Sequence, residues 1–411
     1  MSQVSVLREP LDIIGHLLSF EGKQDPYPLY EQMRVHGPVA DVAGAHFFVT
    51  GYAECAWALR ASDVLLSTDA GVQDLRLPGW REHASWVWLT RNMLFSNDPQ
   101  HARLRRFFGN AFSAQRVQAM RGLVEHQAEA VLDHLAAAGA DGAPVDLVAE
   151  FSYRYAIGII GGLLGVPAAD QPGMRSAIGD ITLALEPIGD PAVLAPGDAA
   201  MSRLAEYFHA LLARLRAEPG PDMTSAWIKA ADESGDVTDE DLVANLMLLL
   251  VAATEAPQDL LSNTVRLALE HPHLHDRLRA DPEFVAGFLE ESYRFDPAVQ
   301  VLNRVAATDF EFFGRAVTAG TPLTLLIAAA NRDPARFPDP LVFDPARAEN
   351  QPLTMSAGSH YCLGAALARM SVTAVLPELL RRFPGMTLAG PGTFRDQIVQ
   401  RGHAELPVVL G

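Results

Sequence analysis

Cysteine is almost absent from this chain: there are two in 411 residues, Cys55 and Cys362. Two cysteines so far apart form neither a disulfide framework nor the paired spacing of a structural zinc site, and the thiols are expected in a reducing compartment. Long apolar runs are missing too. The best one near the N-terminus, LDIIGHLLSF, is broken by His16 and lacks a cationic start. A membrane span needs roughly 20 apolar residues, so neither a span nor a signal peptide is expected, and the reading is cytoplasmic. Cations are in deficit, with 32 Lys+Arg against 50 Asp+Glu and a net charge of −18. That balance argues against a general nucleic-acid binder, which needs cations to neutralise phosphates. The charge reads instead as solvated surface. No long Gly/Ser linker, low-complexity tract or fixed-period repeat divides the chain. The Pro/Gly/Asp-rich stretch 186–198 reads as a loop inside a fold. What is present is a 49% hydrophobic chain, long enough to bury a large core, read as one domain over residues 1–411.

Helical periodicity recurs at 95–121, 123–138, 150–164, 200–217, 238–271, 281–294 and 363–382. The clearest start is Thr238, with Asp241 as its capping-box partner; the apolar run LMLLLVAA follows and His271-Pro272 closes it. Asp281-Pro282 starts another helix, with proline where its missing N–H costs nothing. Strand signals are few: AHFFVTGY, FEFFGRAV, TPLTLLIA and ELPVVL. The fold class expected is mainly α with a small β-rich part.

The second cysteine lies in MSAGSHYCLGAALARM, residues 355–370. Gly358 allows the loop to turn back, and a helix begins just after Leu363-Gly364. N–H groups and the dipole at a helix N-terminus favour a nearby thiolate. Gly364 leaves room for something flat and bulky to approach. Two readings of Cys362 fit: a soft anionic ligand for a large planar metal cofactor, or a buried cysteine serving as a small apolar residue. Two other patterns are open in the same way. Glu291 and Arg294, three apart on one helical face, suit a functional pair or a surface salt bridge. His101 and Arg105, four apart, suit a grip on paired carboxylates or a solvated basic face.

Taken together, four segments resemble the cytochrome P450 superfamily of the soluble bacterial type. SAGSHYCLGAALAR is similar to its haem-binding loop and EESYR to its Glu-x-x-Arg helix. NDPQHARLRR is similar to its haem-contacting helix and AANRDPARFPDP to its meander. Order and separations fit, from about residue 20 to the end. The resemblance implies the cytochrome P450 fold, with a long central helix over haem b (iron protoporphyrin IX). It implies Cys362 as the thiolate ligand of the iron, favouring O–O cleavage. Gly358 and Gly364 would shape the haem-binding loop. His101, Arg105, Arg304 and His360 would bind the haem propionates, which need strong donors to stay ionised in an apolar pocket. Glu291 and Arg294 would form the structural ion pair. Its usual third partner falls near Val342 and is missing; Arg347 is close enough in sequence to stand in. Met355 and Ser356 replace the family's Phe and Gly in the loop, which implies an altered thiolate environment without loss of haem.

In LLLVAATEAPQDL the candidate catalytic positions are Thr254, Glu255 and Ala256. Glu255 fills the family's acid position, but Ala256 stands where the family has a proton-relaying threonine. Thr254, two residues back, lies about 200° around the helix and does not replace it. Pro257 is expected to kink the helix and free the carbonyl of Ala253. Three readings follow: hydroxylation or epoxidation with protons delivered through Glu255, water and a polar group of the substrate; a less usual oxidation such as radical coupling or rearrangement; or a peroxide-driven reaction. A thiolate-haem ligand sensor is the non-enzymatic alternative. The pocket implied by the resemblance involves Trp86, Trp88, Leu249, Ala252, Val299, Leu302, Ile398 and Val399, with Glu255 and Asn303 as polar groups. Trp80, Trp86 and Trp88 either stack an aromatic ligand or pack their own loop. An apolar, partly oxygenated small molecule, such as a bacterial secondary metabolite, is the substrate class expected with O2. No flavin or ferredoxin domain fits in the length, so electrons are expected from a ferredoxin with its ferredoxin reductase, for which the basic stretch HARLRRFF is a candidate contact. The protein is expected to be a monomer.

Overall fold

A computed structural model describes residues 9–187 and 191–411. Part of the 186–198 stretch lies outside the described residues, and its far end is already helical, within Ala195–Ala217.

The longest element is the central helix, Asp239–Glu270. It starts at the expected capping box: the Thr238 hydroxyl accepts from the Asp241 amide at 3.1 Å, and the Asp241 carboxylate accepts from the Thr238 amide at 3.4 Å. Its first half packs Leu242, Val243, Leu246, Met247 and Leu250 into a core shared with Tyr153–Leu164 and Ala195–Ala217. Its second half packs Leu260, Leu261, Val265 and Leu267 into another core, with Pro282–Phe295 and Ala365–Arg382. Residues 251–259, the stretch with the candidate catalytic positions, lie between these two cores. The helix runs through Pro257 as one element.

A five-stranded sheet has the order Val39–Val42, His46–Val49, Pro322–Leu326, Val301–Ala306, Leu65–Leu66. Only His46–Val49 with Pro322–Leu326 is parallel. Val301–Ala306 carries Leu302, Asn303 and Arg304, yet its sequence gives no strand signal. Its burial pattern does not alternate, because polar residues sit inside a strand that is paired on both sides. ELPVVL is not one strand: His403–Glu405 pairs with Thr393–Phe394, whereas Pro407–Val409 pairs with Val145–Asp146 and Thr387–Leu388. FEFFGRAV is a hairpin turning at Phe313 and Gly314. The periodic stretch 95–121 divides, with helices only at Gln100–Gly109 and Ala114–Ala119 and a short 3-10 turn between. Pro99 keeps Asp98 out of helix, and extended Ser113 interrupts the second part.

Glu291 and Arg294 are fully buried and bidentate, at 2.7 and 2.8 Å. Arg294 also donates to the carbonyls of Asn331, Pro340 and Val342. Arg347 reaches Glu291 at 3.2 Å and Asn350 donates to it at 3.0 Å. The position near Val342 thus supplies only its backbone, and the side chain comes from five residues on.

Candidate active site

Cys362 precedes the helix Ala365–Arg382 by one turn of loop. Its amide donates to the Met355 carbonyl at 2.8 Å, so residues 355–362 close on themselves. Gly358 is required within this loop: it has φ +69°, and a Cβ there would lie 2.6 Å from the Leu59 carbonyl oxygen. Ser356 takes φ +61° in the place of the family's glycine, and its buried hydroxyl has no partner among the described residues. A Cβ at Gly364 would meet nothing within 4 Å, so this face of the loop is open.

The Cys362 thiol is pushed up by burial, against the Gly364 amide and the charges of Arg105 and Arg369, which pull it down. The Gly364 amide at the helix terminus favours the thiolate, as the dipole predicts, and burial opposes it. A bound metal cation would deprotonate the thiol.

Beside the loop, His101 from helix Gln100–Gly109 stacks against His360, with ring centroids 4.1 Å apart. Arg105, from the same helix, donates to the Tyr361 carbonyl at 2.5 Å. Arg304, from the central sheet, is 7% exposed, and among the described residues its side chain donates only to the Asn303 carbonyl, at 2.9 Å. Burial lowers Arg304 to about 10, with no acid opposing it. Burial also lowers His101, helped by Arg105 and Arg304 and opposed by Asp98. His360 is pushed down to about 3 by burial and by the charges of His101, Arg304 and Arg105. The Nε2 of His101 is buried without a partner among the described residues. Four basic groups thus converge, and among the described residues the acid paired with them is the largely exposed Asp98, beside His101. Such a cluster is complementary to a buried anion.

Along the central helix, Leu248 and Ala256 are half-buried and Ala252 is exposed, although the flanking turns are buried. Four-residue spacing makes these one open stripe. Thr254 is fully buried, and its hydroxyl donates back to the Leu250 carbonyl at 2.7 Å, off this stripe. Its hydroxyl is thus committed within the helix, away from the face that carries Ala256. Glu255 is 3% exposed and is held by Arg395, which donates to its Oε2 at 2.6 Å. No sequence pattern pointed to that partner.

A family model for cytochrome P450 matches residues 199–388. The vitamin D(3) 25-hydroxylase of Pseudonocardia autotrophica is 32% identical over 396 residues, covering 94% of each chain. The chain belongs to the cytochrome P450 family. Among solved structures, P450BioI in complex with a hexadec-9Z-enoic acid-ligated acyl carrier protein has a TM-score of 0.86 and 27% identity, covering 95% of this chain and 100% of that one. CxnD, a P450 for C–S bond formation in chuangxinmycin biosynthesis, has a TM-score of 0.82 and 27% identity, covering 94% of each chain.

This P450 is a monooxygenase of a haem-binding family, and its residues fit that group. The buried cations would suit its carboxylates, the open face at Gly364 would give clearance, and the Cys362 sulfur is chemically suited to be a soft ligand. No described helix is long and apolar enough to cross a membrane.

The pocket residues do not form one set. Leu249 is buried in the core with Trp86, and Trp86 packs edge-on against Phe95. Trp88 contacts His209 and Arg91 on the opposite face of the short helix Ala84–Leu89. Trp80 gives its indole N–H to Asp74 at 2.9 Å. Val299 bridges to Gln400, bringing Ile398 and Val399 beside Val301. Leu302 packs on the sheet core, and Asn303 is occupied, accepting from the Thr324 hydroxyl at 3.0 Å. Of the arginines in HARLRRFF, Arg103 pairs with Asp241 at 2.9 Å, leaving Arg106 as the exposed one.

Proposed function

We propose that this single-domain P450 hydroxylates or epoxidises a small, largely apolar molecule, such as a bacterial secondary metabolite. It would use O2 and two electrons from a ferredoxin and its reductase. Haem b, bound through Cys362, supplies oxygen activation. His101, Arg105, Arg304 and His360 would hold its propionates, and Gly358 and Gly364 would shape its loop. What carries this reading is the convergence of those four basic groups beside the loop of Cys362, with the largely exposed Asp98 paired only to His101.

The residues on the oxygen side would do three things. Leu248, Ala252 and Ala256 present an apolar floor to the substrate. Glu255 carries protons toward the open stripe. Ala256 brings no hydroxyl, so water or a polar group of the substrate completes the route, with the Ala253 carbonyl, which Pro257 cannot pair, as an acceptor. Ala256 also favours a second reading, an oxidation such as coupling or rearrangement with less demand on proton delivery.

The test begins with the reduced protein under carbon monoxide, where a strongly red-shifted Soret band is expected from thiolate ligation. A panel of apolar metabolites is then screened for substrate-type spectral shifts, and each hit is turned over with ferredoxin, reductase and labelled O2. Label in the product supports monooxygenation. Turnover of the hits with no label in any product supports the second reading. Hits without turnover would leave a ligand sensor.

A further inference from the structure

The hairpin of Thr393–Phe394 and His403–Glu405 packs against the central helix. Arg395 follows its first strand, and the Arg395 amide donates to the Gly402 carbonyl at 3.0 Å, which fixes the backbone. The Arg395 side chain enters between two acids of the central helix. Nη1 donates to Glu255 at 2.6 Å, and Nη2 donates to Asp259. Glu255 is 3% exposed and Asp259 0%. They are four residues apart, hence on one face a turn apart, so one guanidinium fork spans both. The hairpin lies very close here: a Cβ on Gly402 would be 1.9 Å from Asp259 Oδ1.

Two buried carboxyls therefore share one cation. The other charged groups nearby do not change that balance. Arg401 and Arg266 are committed to Asp296, at 2.9 and 2.8 Å. His403, on the hairpin, is pushed down to about 3 by burial, so it is neutral. Tyr153, near enough to feel Glu255, is also neutral, raised by burial to about 12. Gln258 donates to Asp259 at 3.2 Å but brings no charge. A desolvated site with two acids and one guanidinium favours one retained proton.

We propose that Arg395 and Asp259 are positioning residues for Glu255: Arg395 holds the Glu255 carboxylate against the C-terminal hairpin, and Asp259, once ionised, competes for the same guanidinium and releases Glu255 toward the stripe at Ala256. The step breaks no covalent bond beyond loss of the Asp259 proton to water. Burial, opposed by Arg395 and reinforced by Glu255, raises Asp259 to about 7, which places the exchange in the working range of an enzyme. The inference rests on the reading of Glu255 as the proton carrier.

The test uses the haem-loaded protein and four variants: Glu255→Gln, Asp259→Asn, Arg395→Gln and the double variant Glu255→Gln/Arg395→Gln. The reduced carbon-monoxide spectrum serves as the control for an intact site. The first readout is unfolding stability against pH. An acid raised from 3.8 to about 7 lowers stability as pH rises through that window, and Asp259→Asn is expected to remove that part of the slope. The second is peroxide released per electron pair from NADPH, reductase and a [2Fe–2S] ferredoxin, without substrate, between about pH 6 and about pH 8. Asp259→Asn and Arg395→Gln are expected to change it about threefold in opposite directions and to flatten its pH profile. Adding Glu255→Gln is expected to abolish the effect of Arg395→Gln. If Glu255→Gln alone changes nothing, the reading of Glu255 as proton carrier falls. If Glu255→Gln has an effect while the other two single variants keep the wild-type profile, this inference falls. Asp259→Asn, nearly isosteric, carries the test if Arg395→Gln does not fold.

Discussion

The amide of Cys362 donates to the carbonyl of Met355 across 2.8 Å, and the residue after that carbonyl, Ser356, sits at φ +61°. The loop that presents the cysteine is thus closed through a position that glycine would occupy without strain. Replacing Ser356 by glycine relieves the positive φ and removes a buried hydroxyl with no partner among the described residues. Relief of strain exceeds the extra backbone entropy of glycine, for a net gain of about 1 kcal/mol. A higher midpoint in urea unfolding, with the carbon-monoxide spectrum retained, is the expected result.

Arg304 is a buried cation with no acid paired to it among the described residues, and it should act oppositely in the two forms of the protein. Arg304→Leu is expected to stabilise the haem-free chain, because an uncompensated buried charge is removed. The same change should weaken haem retention by about 2 kcal/mol or more, as expected when one partner of a buried charge pair is lost. Haem transfer to an acceptor globin and unfolding of the haem-free protein measure the two effects. Loss of stability together with unchanged retention would argue against Arg304 as an anion-binding residue.

Asp296 joins the central helix to the C-terminal segment, accepting from Arg401 at 2.9 Å and Arg266 at 2.8 Å, with the Tyr27 hydroxyl at 2.5 Å. Burial acts to raise this carboxyl, but the two guanidiniums and the hydroxyl bond hold it well below its ordinary value of 3.8. A depressed folded-state pKa contributes stability that is fully present above the unfolded value and is lost as pH falls below it. Asp296→Asn is expected to cost about 3 kcal/mol at neutral pH and to flatten the acid limb of the stability curve. Parallel acid limbs for variant and wild type would show that other carboxylates govern it.

Thr254 and Ala256 lie two residues apart and should answer mutation differently. The hydroxyl of Thr254 is committed to the Leu250 carbonyl. Thr254→Val is therefore expected to leave coupling within about twofold while costing roughly 1 kcal/mol of stability. Ala256→Thr adds a hydroxyl on the open stripe and is expected to change the fraction of electrons that reach product. Product formed per electron pair measures both, once a substrate is in hand. Unchanged coupling and product profile in Ala256→Thr would remove the case for substrate-assisted proton delivery.

The sequence by itself determined what depends on neighbours along the chain. The capping box at Thr238, proline at the start of Pro282–Phe295 and the Gly358–Gly364 surroundings of Cys362 were all legible, because caps, turns and periodicity act over a few residues. The family resemblance rests on the same short segments. Arg347 as a partner of Glu291 was within reach because it lies a few residues past the meander-like segment, near the place where the family's third partner falls. The strand Val301–Ala306 was not legible: it is held by partners on both sides, so its order of polar and apolar residues carries no period of two. Nor was the sharing of Arg395 by Glu255 and Asp259, across 140 and 136 residues of chain. The tertiary structure alone decided which charges share a desolvated space. That outcome depends on distance and burial, which the order of residues does not contain, and here it fixes both the basic groups around Cys362 and the doubly claimed guanidinium beside Ala256.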